Sequence, residues 1–285
     1  MGENIFKKAD TPLNALSLGA GVQSSTLALM AARGLINPMP DIAIFADTQA
    51  EPASVYNYLD WLEKELPYPV ERVTAGSLTE SILEMKITKD GRKFSKTSLP
   101  AFTRNVDGSQ GKITHRSCTV DFKIKPILKF LRKWAEIKRG QKLISVTQWI
   151  GISWDELTRV KEARDPWVQN RWPLLELRMT RKDCLDWMEG NGYPPPPRSS
   201  CVYCPFHNNK EWRRLRDEEP EEFQRAADFE KDFQEIKNTS DNFNSVPFLH
   251  RSLVPLQKVD LSTDTERGQT LLDGFNNECE GMCGL

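Results

Sequence analysis

The chain has 285 residues, enough to bury a full core as one large domain or as one domain with a smaller appendage. Its 39 Lys and Arg nearly balance 40 Asp and Glu, so whole-chain charge argues for no nucleic-acid partner and only a local patch could supply one. No apolar run nears the roughly 20 residues that span a bilayer, and the opening MGENIFKKADTPLNA lacks the apolar centre of a signal peptide; a cytoplasmic protein with no membrane role is expected. In a reducing compartment the six cysteines are better read as metal ligands, redox thiols or buried apolar residues than as disulfides.

The first element is a short apolar run, Ala15, Leu16 and Leu18 with Ser17 between, that meets the turn Gly19-Ala20-Gly21. Gln23, Ser24, Ser25 and Thr26 follow at the start of an Ala-rich helix. Glycines allow close backbone approach, and a helix start offers free N–H groups and the positive end of its dipole, so this stretch reads as an anion cradle, most simply for phosphate. It is not the G-x-x-x-x-G-K-[ST] loop, because no Lys follows the second glycine; nor is it G-x-G-x-x-G, because Ser24 stands at the third glycine. An ordinary strand-to-helix turn with a Ser cap is the plain alternative.

Residues 41–46 read as a buried strand ending in Asp47-Thr48-Gln49-Ala50-Glu51. A helix over 52–65, a strand over 68–73 and a helix over 77–85 capped by Ser77 follow from the apolar spacing. Such alternation predicts an α/β fold, a doubly wound and mostly parallel sheet with right-handed crossovers. Ligands then bind beyond the carboxyl ends of the strands, where 19–25 and 47–51 both fall.

Residues 86–116 break the pattern with eight Lys and Arg (Lys86, Lys89, Arg92, Lys93, Lys96, Arg104, Lys112, Arg116) against Asp90 and Asp107. With Phe94 and Phe102 interleaved and three glycines, the stretch reads as a basic loop for a phosphate-rich or single-stranded DNA or RNA partner; the alternative is a solvated hairpin. An amphipathic helix is expected over 121–137, with Pro126 near its start, and a strand over 143–150. Then come a helix bearing Arg159, a strand-like piece over 171–175, and a helix over 180–191 with a Thr180/Asp183 capping pattern. A stiff linker, Gly192-Tyr-Pro-Pro-Pro-Pro-Arg198-Ser-Ser, delivers Cys201-Val-Tyr-Cys204-Pro-Phe-His207. Polar helical sequence follows, placing a nucleotide-binding α/β domain at 1–205 and a helical region with a cysteine-containing tail at 206–285.

Four segments in order resemble the adenine-nucleotide alpha-hydrolase (PP-loop) superfamily, and within it the branch of PAPS reductases and related ATP pyrophosphatases. Gly19-Ala-Gly-Val-Gln-Ser-Ser25 is similar to its S-G-G-x-x-S loop, with Gln23 where many members have Asp. Ala46-Asp47-Thr48-Gln49-Ala50-Glu51 resembles A-D-T-G-x-E, and Arg116-Ser-Cys118-Thr119 with Lys125-Pro126 resembles R-x-C-T with K-x-x-P. Gly151-Ile-Ser-Trp-Asp-Glu156 with Arg159 resembles G-x-x-x-x-E-x-x-R. The resemblance implies ATP with phosphate on Ser17, Gly19, Gly21, Gln23, Ser24 and Ser25, and Asp47, Thr48, Glu51 and Gly151 at adjacent strand ends near nucleotide or Mg²⁺. Arg116, Lys125 and Arg159 would neutralise phosphate charge, Arg159 in a catalytic role.

In iron–sulfur members of the family, a Cys-Cys pair and a distant C-x-x-C hold a [4Fe–4S] cluster. Here Cys118 and Cys201 lie 83 positions apart, Cys204 completes the C-x-x-C, and Ser117 stands at the first position of the pair. The fourth ligand is open among Cys279, Cys283, His207 and an external group, with Cys283 the tail choice. Structural Zn²⁺ on Cys201, Cys204 and two of Cys118, His207, Cys279 and Cys283 is the competing reading. Reductase members also end in E-C-G-x-H with a nucleophilic cysteine, which Glu278-Cys279-Glu280-Gly281 resembles imperfectly. Cys118 and Cys279 are therefore the candidate catalytic thiols. The expected reaction is ATP pyrophosphatase chemistry that adenylylates an acceptor for sulfur transfer. A cysteine desulfurase would be a fitting sulfur donor, and a homodimer is compatible with this reading. The alternatives are a PAPS or adenylyl-sulfate reductase releasing sulfite, and a nucleotide- and nucleic-acid-binding component without turnover.

Overall fold

Strand β1 (Lys8–Leu18) divides its side chains between two apolar layers, Leu16 and Leu18 entering one core and Ala15 the other. That period of two belongs to a strand buried on both faces. The computed structural model describes residues 8–96 and 98–263. After β1 the chain runs through α1 (Val22–Ala32), β2 (Ile42–Asp47), α2 (Ala53–Glu65), β3 (Val70–Thr74) and α3 (Leu78–Leu83). Three short strands follow, β4 (Met85–Ile87), β5 (Lys93–Ser95) and β6 (Phe102–Arg104). A π-helical turn (Val120–Ile124) leads directly into α4 (Lys125–Trp134), then come β7 (Ile144–Ile150), a 3-10 turn (Trp154–Arg159), β8 (Val168–Arg171), α5 (Pro173–Glu176) and α6 (Arg181–Gly190). The last described elements are α7 (Asn209–Glu218), α8 (Pro220–Thr239), β9 (Val246–Phe248) and a 3-10 turn (Leu256–Lys258).

Five strands pair in parallel in the order β3-β2-β1-β7-β8. Helices α1, α2 and α6 cover one face through Leu27, Leu59, Leu62 and Met188, and α4 covers the other through Ile127 and Leu131. This is the α/β sheet, wound on both faces, that the alternation of elements implies. The chain leaves β1 toward β2 on one side and returns to β7 on the other, so the order reverses between β1 and β7, where such sheets open a crevice. Register aligns these ends: Leu18 of β1 faces Phe45 of β2, and Ser17 faces Ile150 of β7.

A further core joins α3 and the cysteine-bearing turn to the C-terminal helices: Leu78, Ile82 and Tyr203 pack with Trp212, Leu215, Phe229 and Phe233. Tyr203 stacks on Phe229 with centroids 4.0 Å apart. Buried Glu230 of α8 accepts the Leu249 and Leu256 amides, fixing the chain after β9.

Several elements differ from the sequence reading. Residues 86–116 follow the hairpin alternative rather than the loop: β4 and β5 form a hairpin closed by Thr88 and Arg92, and β6 pairs with β9. The helix expected to bear Arg159 is only a 3-10 turn, and the strand-like piece at 171–175 stops at Arg171, because Pro173 cannot donate to a ladder and instead starts a helical turn. The helix expected from Asp121 is regular only from Lys125, with the π turn before it. The Thr180/Asp183 capping box and the Ser77 cap form as their spacing implies. Among the described residues, no helix is long and apolar enough to cross a membrane.

Buried His250 links the turn after β9 to α7, with its ring nitrogens beside the Ser252 hydroxyl (2.7 Å) and the Asn209 side-chain oxygen (3.0 Å). Burial, with Arg251 adding to it, lowers its pKa to about 4. The unfolded chain takes up this proton near the ordinary value of about 6.5 while the native state resists it, so stability is full above that pH and lost as pH falls toward 4. Melting temperature should therefore drop between about pH 6.5 and pH 4. His250→Gln should flatten part of that slope; an unchanged slope would contradict the assignment.

Candidate nucleotide and thiol site

The loops leaving β1 and β2 each hold a non-glycine residue in the left-handed region, Ala20 (φ 57°) and Gln49 (φ 59°). Such residues are strained unless their surroundings impose the turn, and both turns lie at the crevice. Gly21 starts α1 with no side-chain cap, leaving the N–H groups of the first turn without a side-chain acceptor. Ser24 takes the Gly19 amide at 3.1 Å, and Ser199 donates its hydroxyl to the Gly19 carbonyl. A Cβ on Gly21 would lie 3.0 Å from the Ser199 Cβ, and one on Gly151 3.0 Å from the Ser24 amide nitrogen. The absence of side chains thus lets the linker and the end of β7 close on the turn.

Gln23 is fully engaged within the protein. Its amide nitrogen donates to Ser153 (3.3 Å) and Glu156 (3.2 Å), and its oxygen accepts from Arg181 (3.3 Å). Glu156 in turn pairs with Arg159, so Arg159 reaches the cradle through Glu156 and Gln23. Ser17 accepts from Gln148 at 2.7 Å. Asp47 accepts the Gln49 amide and the Tyr56 hydroxyl, both at 2.7 Å and both on one oxygen.

Two cavities meet here. One is lined by Ser17, Gly19, Phe45, Ala46, Gln148 and Ser199; the other by Thr48, Arg116, Ser200 and three thiols, Cys118, Cys201 and Cys204. Thr119 and Lys123 line both. They stand four apart along the π turn, on one helical face. Each cavity holds only about 30 Å³, roughly the liquid-volume share of one water.

The wall between them is ionic. Glu51, fully buried, accepts from Lys123 Nζ at 3.1 Å and from the Thr48 hydroxyl, which also lies 3.5 Å from the Cys201 sulfur. Burial opposes the Lys123 charge, but Glu51 and Cys201 outweigh it and hold its pKa above the usual lysine value. Burial, then Glu51, pushes the Cys201 thiol up. Burial also raises Cys204, while Arg198 and Arg116 pull the other way. Arg116 donates to Thr119 (2.9 Å) and lies 5.6 Å from the centroid of the Phe206 ring.

Lys125 is 67 % exposed and paired with Asp121; the lysine at the cavities is Lys123. The signal for it was present, because Lys123-Ile-Lys-Pro126 is the K-x-x-P spacing itself. Ser199 and Ser200, which line the two cavities, were read only as linker. His207 binds Ser200, which lines the thiol cavity, at 2.9 Å and meets Trp212 edge-on. Cys184 is buried in the core, its pKa pushed by burial up to about 12. Cys279 and Cys283 lie outside the described residues.

A tetrahedral zinc needs four donors at about 2.0–2.3 Å from one point. Among the described residues, no group of three or more His, Cys, Asp or Glu side chains is arranged to hold a metal ion. Cys118, Cys201 and Cys204 line one cavity.

No family model matches the chain, and no curated protein matches it. Among solved structures it is similar to a phosphoadenylyl-sulfate (PAPS) reductase from Candida auris in a phosphate complex, with 11 % identity, a TM-score of 0.42, and 66 % of this chain and 76 % of that chain covered. It is also similar to the U34-tRNA thiolase NcsA from Methanococcus maripaludis with its [4Fe-4S] cluster, with 13 % identity, a TM-score of 0.37, and 81 % and 74 % covered.

The Glu51–Lys123 pair makes a stability prediction. Lys123→Met leaves a buried carboxylate without its cation and should cost about 3–5 kcal/mol in denaturant unfolding. Glu51→Gln combined with Lys123→Met should recover most of that loss. Additive losses in the double variant would show that the two groups are not coupled.

Proposed function

We propose that the chain is a PP-loop ATP pyrophosphatase that activates an acceptor for sulfur transfer. The observation that carries this reading is the shared wall: the cleft beyond β1, β2 and β7 and the three-thiol cavity meet at Thr119 and Lys123. The four family-like segments converge on the same place, which supports the assignment.

In this reading the Gly19–Gly21 turn and the start of α1 receive phosphate oxygens, with Ser24 holding the turn. Mg²⁺ accompanies the triphosphate, and the second oxygen of Asp47, which takes no described hydrogen bond, is the carboxylate nearest to hand. Lys123 and Arg116 offset the charge that builds on the α-phosphate as an acceptor oxygen attacks it and pyrophosphate leaves. A sulfur nucleophile then adds at the activated carbon, and its C–O bond breaks to release AMP. Cys118, Cys201 and Cys204 would hold a [4Fe–4S] cluster, with Cys279, Cys283 or an external group as the fourth ligand. Bound there, the cluster supplies a site that can hold inorganic sulfur beside the nucleotide.

Anaerobic protein given ATP, Mg²⁺ and sulfide with acceptor should yield AMP and pyrophosphate in equal amounts. Lys123→Met should lower the rate by about 10²-fold or more, with Lys123→Arg retaining part of it. Sulfite release from PAPS with thioredoxin, and no cleavage of ATP, would overturn this reading in favour of the reductase that Glu278-Cys279 suggests.

Protein purified without oxygen should be brown and carry about four irons, and Cys118→Ser should lower the iron content. Stoichiometric zinc in colourless protein would overturn the cluster assignment.

A further inference from the structure

A residue of the proline linker rests on the Gly19-Ala20-Gly21 turn from 180 positions further along the chain. Ser199 is only 8 % exposed and lines the same cavity as Gly19, Thr119 and Lys123. Its Cβ lies 3.0 Å, and its amide nitrogen 3.7 Å, from the point where a Cβ on Gly21 would stand. Its hydroxyl lies 3.3 Å from the matching point on Gly19 and donates to the Gly19 carbonyl. The Ser199 amide takes no described hydrogen bond. Backbone N–H groups of buried residues are nearly always paired, so an unpaired one set over this turn marks a place where an acceptor belongs.

The bonds within the turn decide what that acceptor can be. Ser24 Oγ accepts the Gly19 amide (3.1 Å), and the Gly21 carbonyl accepts the Ser25 amide (3.0 Å) and the Ser24 hydroxyl (3.3 Å). The first-turn amides of α1 remain as donors, at the positive end of an 11-residue helix. The Gly19 carbonyl is covered by the Ser199 hydroxyl. Ser199 thus adds an amide and a hydroxyl to the donors of α1, and Lys123 adds a full positive charge on the same cavity wall. A set of this kind has no use for a cation or a neutral carbonyl; it fits a multiply charged oxyanion.

We propose that Ser199 is a phosphate-binding residue, the linker's half of a site whose other half is the Gly19–Gly21 turn; the inference rests on the reading that this turn takes the phosphates of ATP. Here the hydroxyl proton sits on the neutral Gly19 carbonyl. A phosphate oxygen carries formal charge and accepts the stronger hydrogen bond. The hydroxyl therefore turns about χ1 from carbonyl to phosphate, while the Ser199 amide gains an acceptor. Only one described hydrogen bond of Ser199, that to Gly19, is exchanged.

The test is calorimetric binding of ATP, inorganic pyrophosphate and adenosine with Mg²⁺ to the full chain, purified without oxygen, comparing the parent with Ser199→Ala and Ser199→Thr. Ser199→Ala should bind ATP and pyrophosphate about 10-fold more weakly while its affinity for adenosine stays the same. Ser199→Thr, which keeps the hydroxyl, should recover most of the loss. A merely structural serine would not separate phosphate from nucleoside. Unchanged ATP and pyrophosphate affinity in Ser199→Ala, or equal losses for all three ligands, overturns the proposal and leaves the reaction class standing. Serine-dependent binding of pyrophosphate without AMP formation from ATP keeps the anion site and removes the reaction. A parent protein that binds neither ATP nor pyrophosphate overturns both.

Discussion

One buried ion pair holds the centre of this molecule together. The Glu51 carboxylate has no solvent exposure and sits where the β2 turn, the π turn, the cysteine-bearing linker and α8 meet. Lys123 supplies its counter-charge, Thr48 ties it to Cys201, and Arg225 of α8 donates to the backbone carbonyls of Gln49 and Glu51. A buried charge that loses its partner costs several kcal/mol, so these four segments are obliged to remain in register. The position of the three thiols beside the cleft follows from that obligation.

The second constraint is steric. At Gly21 and Gly151 the neighbouring chain approaches so closely that any Cβ would strike Ser199 or the Ser24 amide. Ala20 accepts a left-handed backbone between two glycines, because the turn is fixed on both sides by strand pairing and by the linker. Tight backbone contact, rather than a charged side chain, shapes this turn, and the lysine that lines its cavity comes from the π turn.

Much of the architecture was legible from local pattern. Alternation of apolar strands with 3.6-period helices specifies the parallel sheet, and caps at Ser77 and Thr180 mark helix starts through short-range geometry. What pattern could not reach were features set by distant partners. The basic segment looks unstructured by composition, yet β6 finds its partner in β9, more than 140 positions on. Gln23 reads as a phosphate ligand until Glu156 and Arg181 claim its amide. Lys125 and Lys123 differ by two positions, and only the turn of the helix decides which faces the cavity. Ser199 gains its place only once the linker folds back over β1.

The four consecutive prolines before Ser199 carry a mechanical consequence. A polyproline stretch has no internal hydrogen bonds to break and little freedom to shorten, so it behaves as a rod rather than a spring. One end hangs from α6 at Gly192, whose left-handed backbone (φ 73°) is a natural pivot; the other carries Ser199, Ser200 and Cys201 in succession. Lifting Ser199 off the Gly19 carbonyl therefore swings Cys201 as well, so the Gly19 turn and the thiol cavity are joined by a single lever.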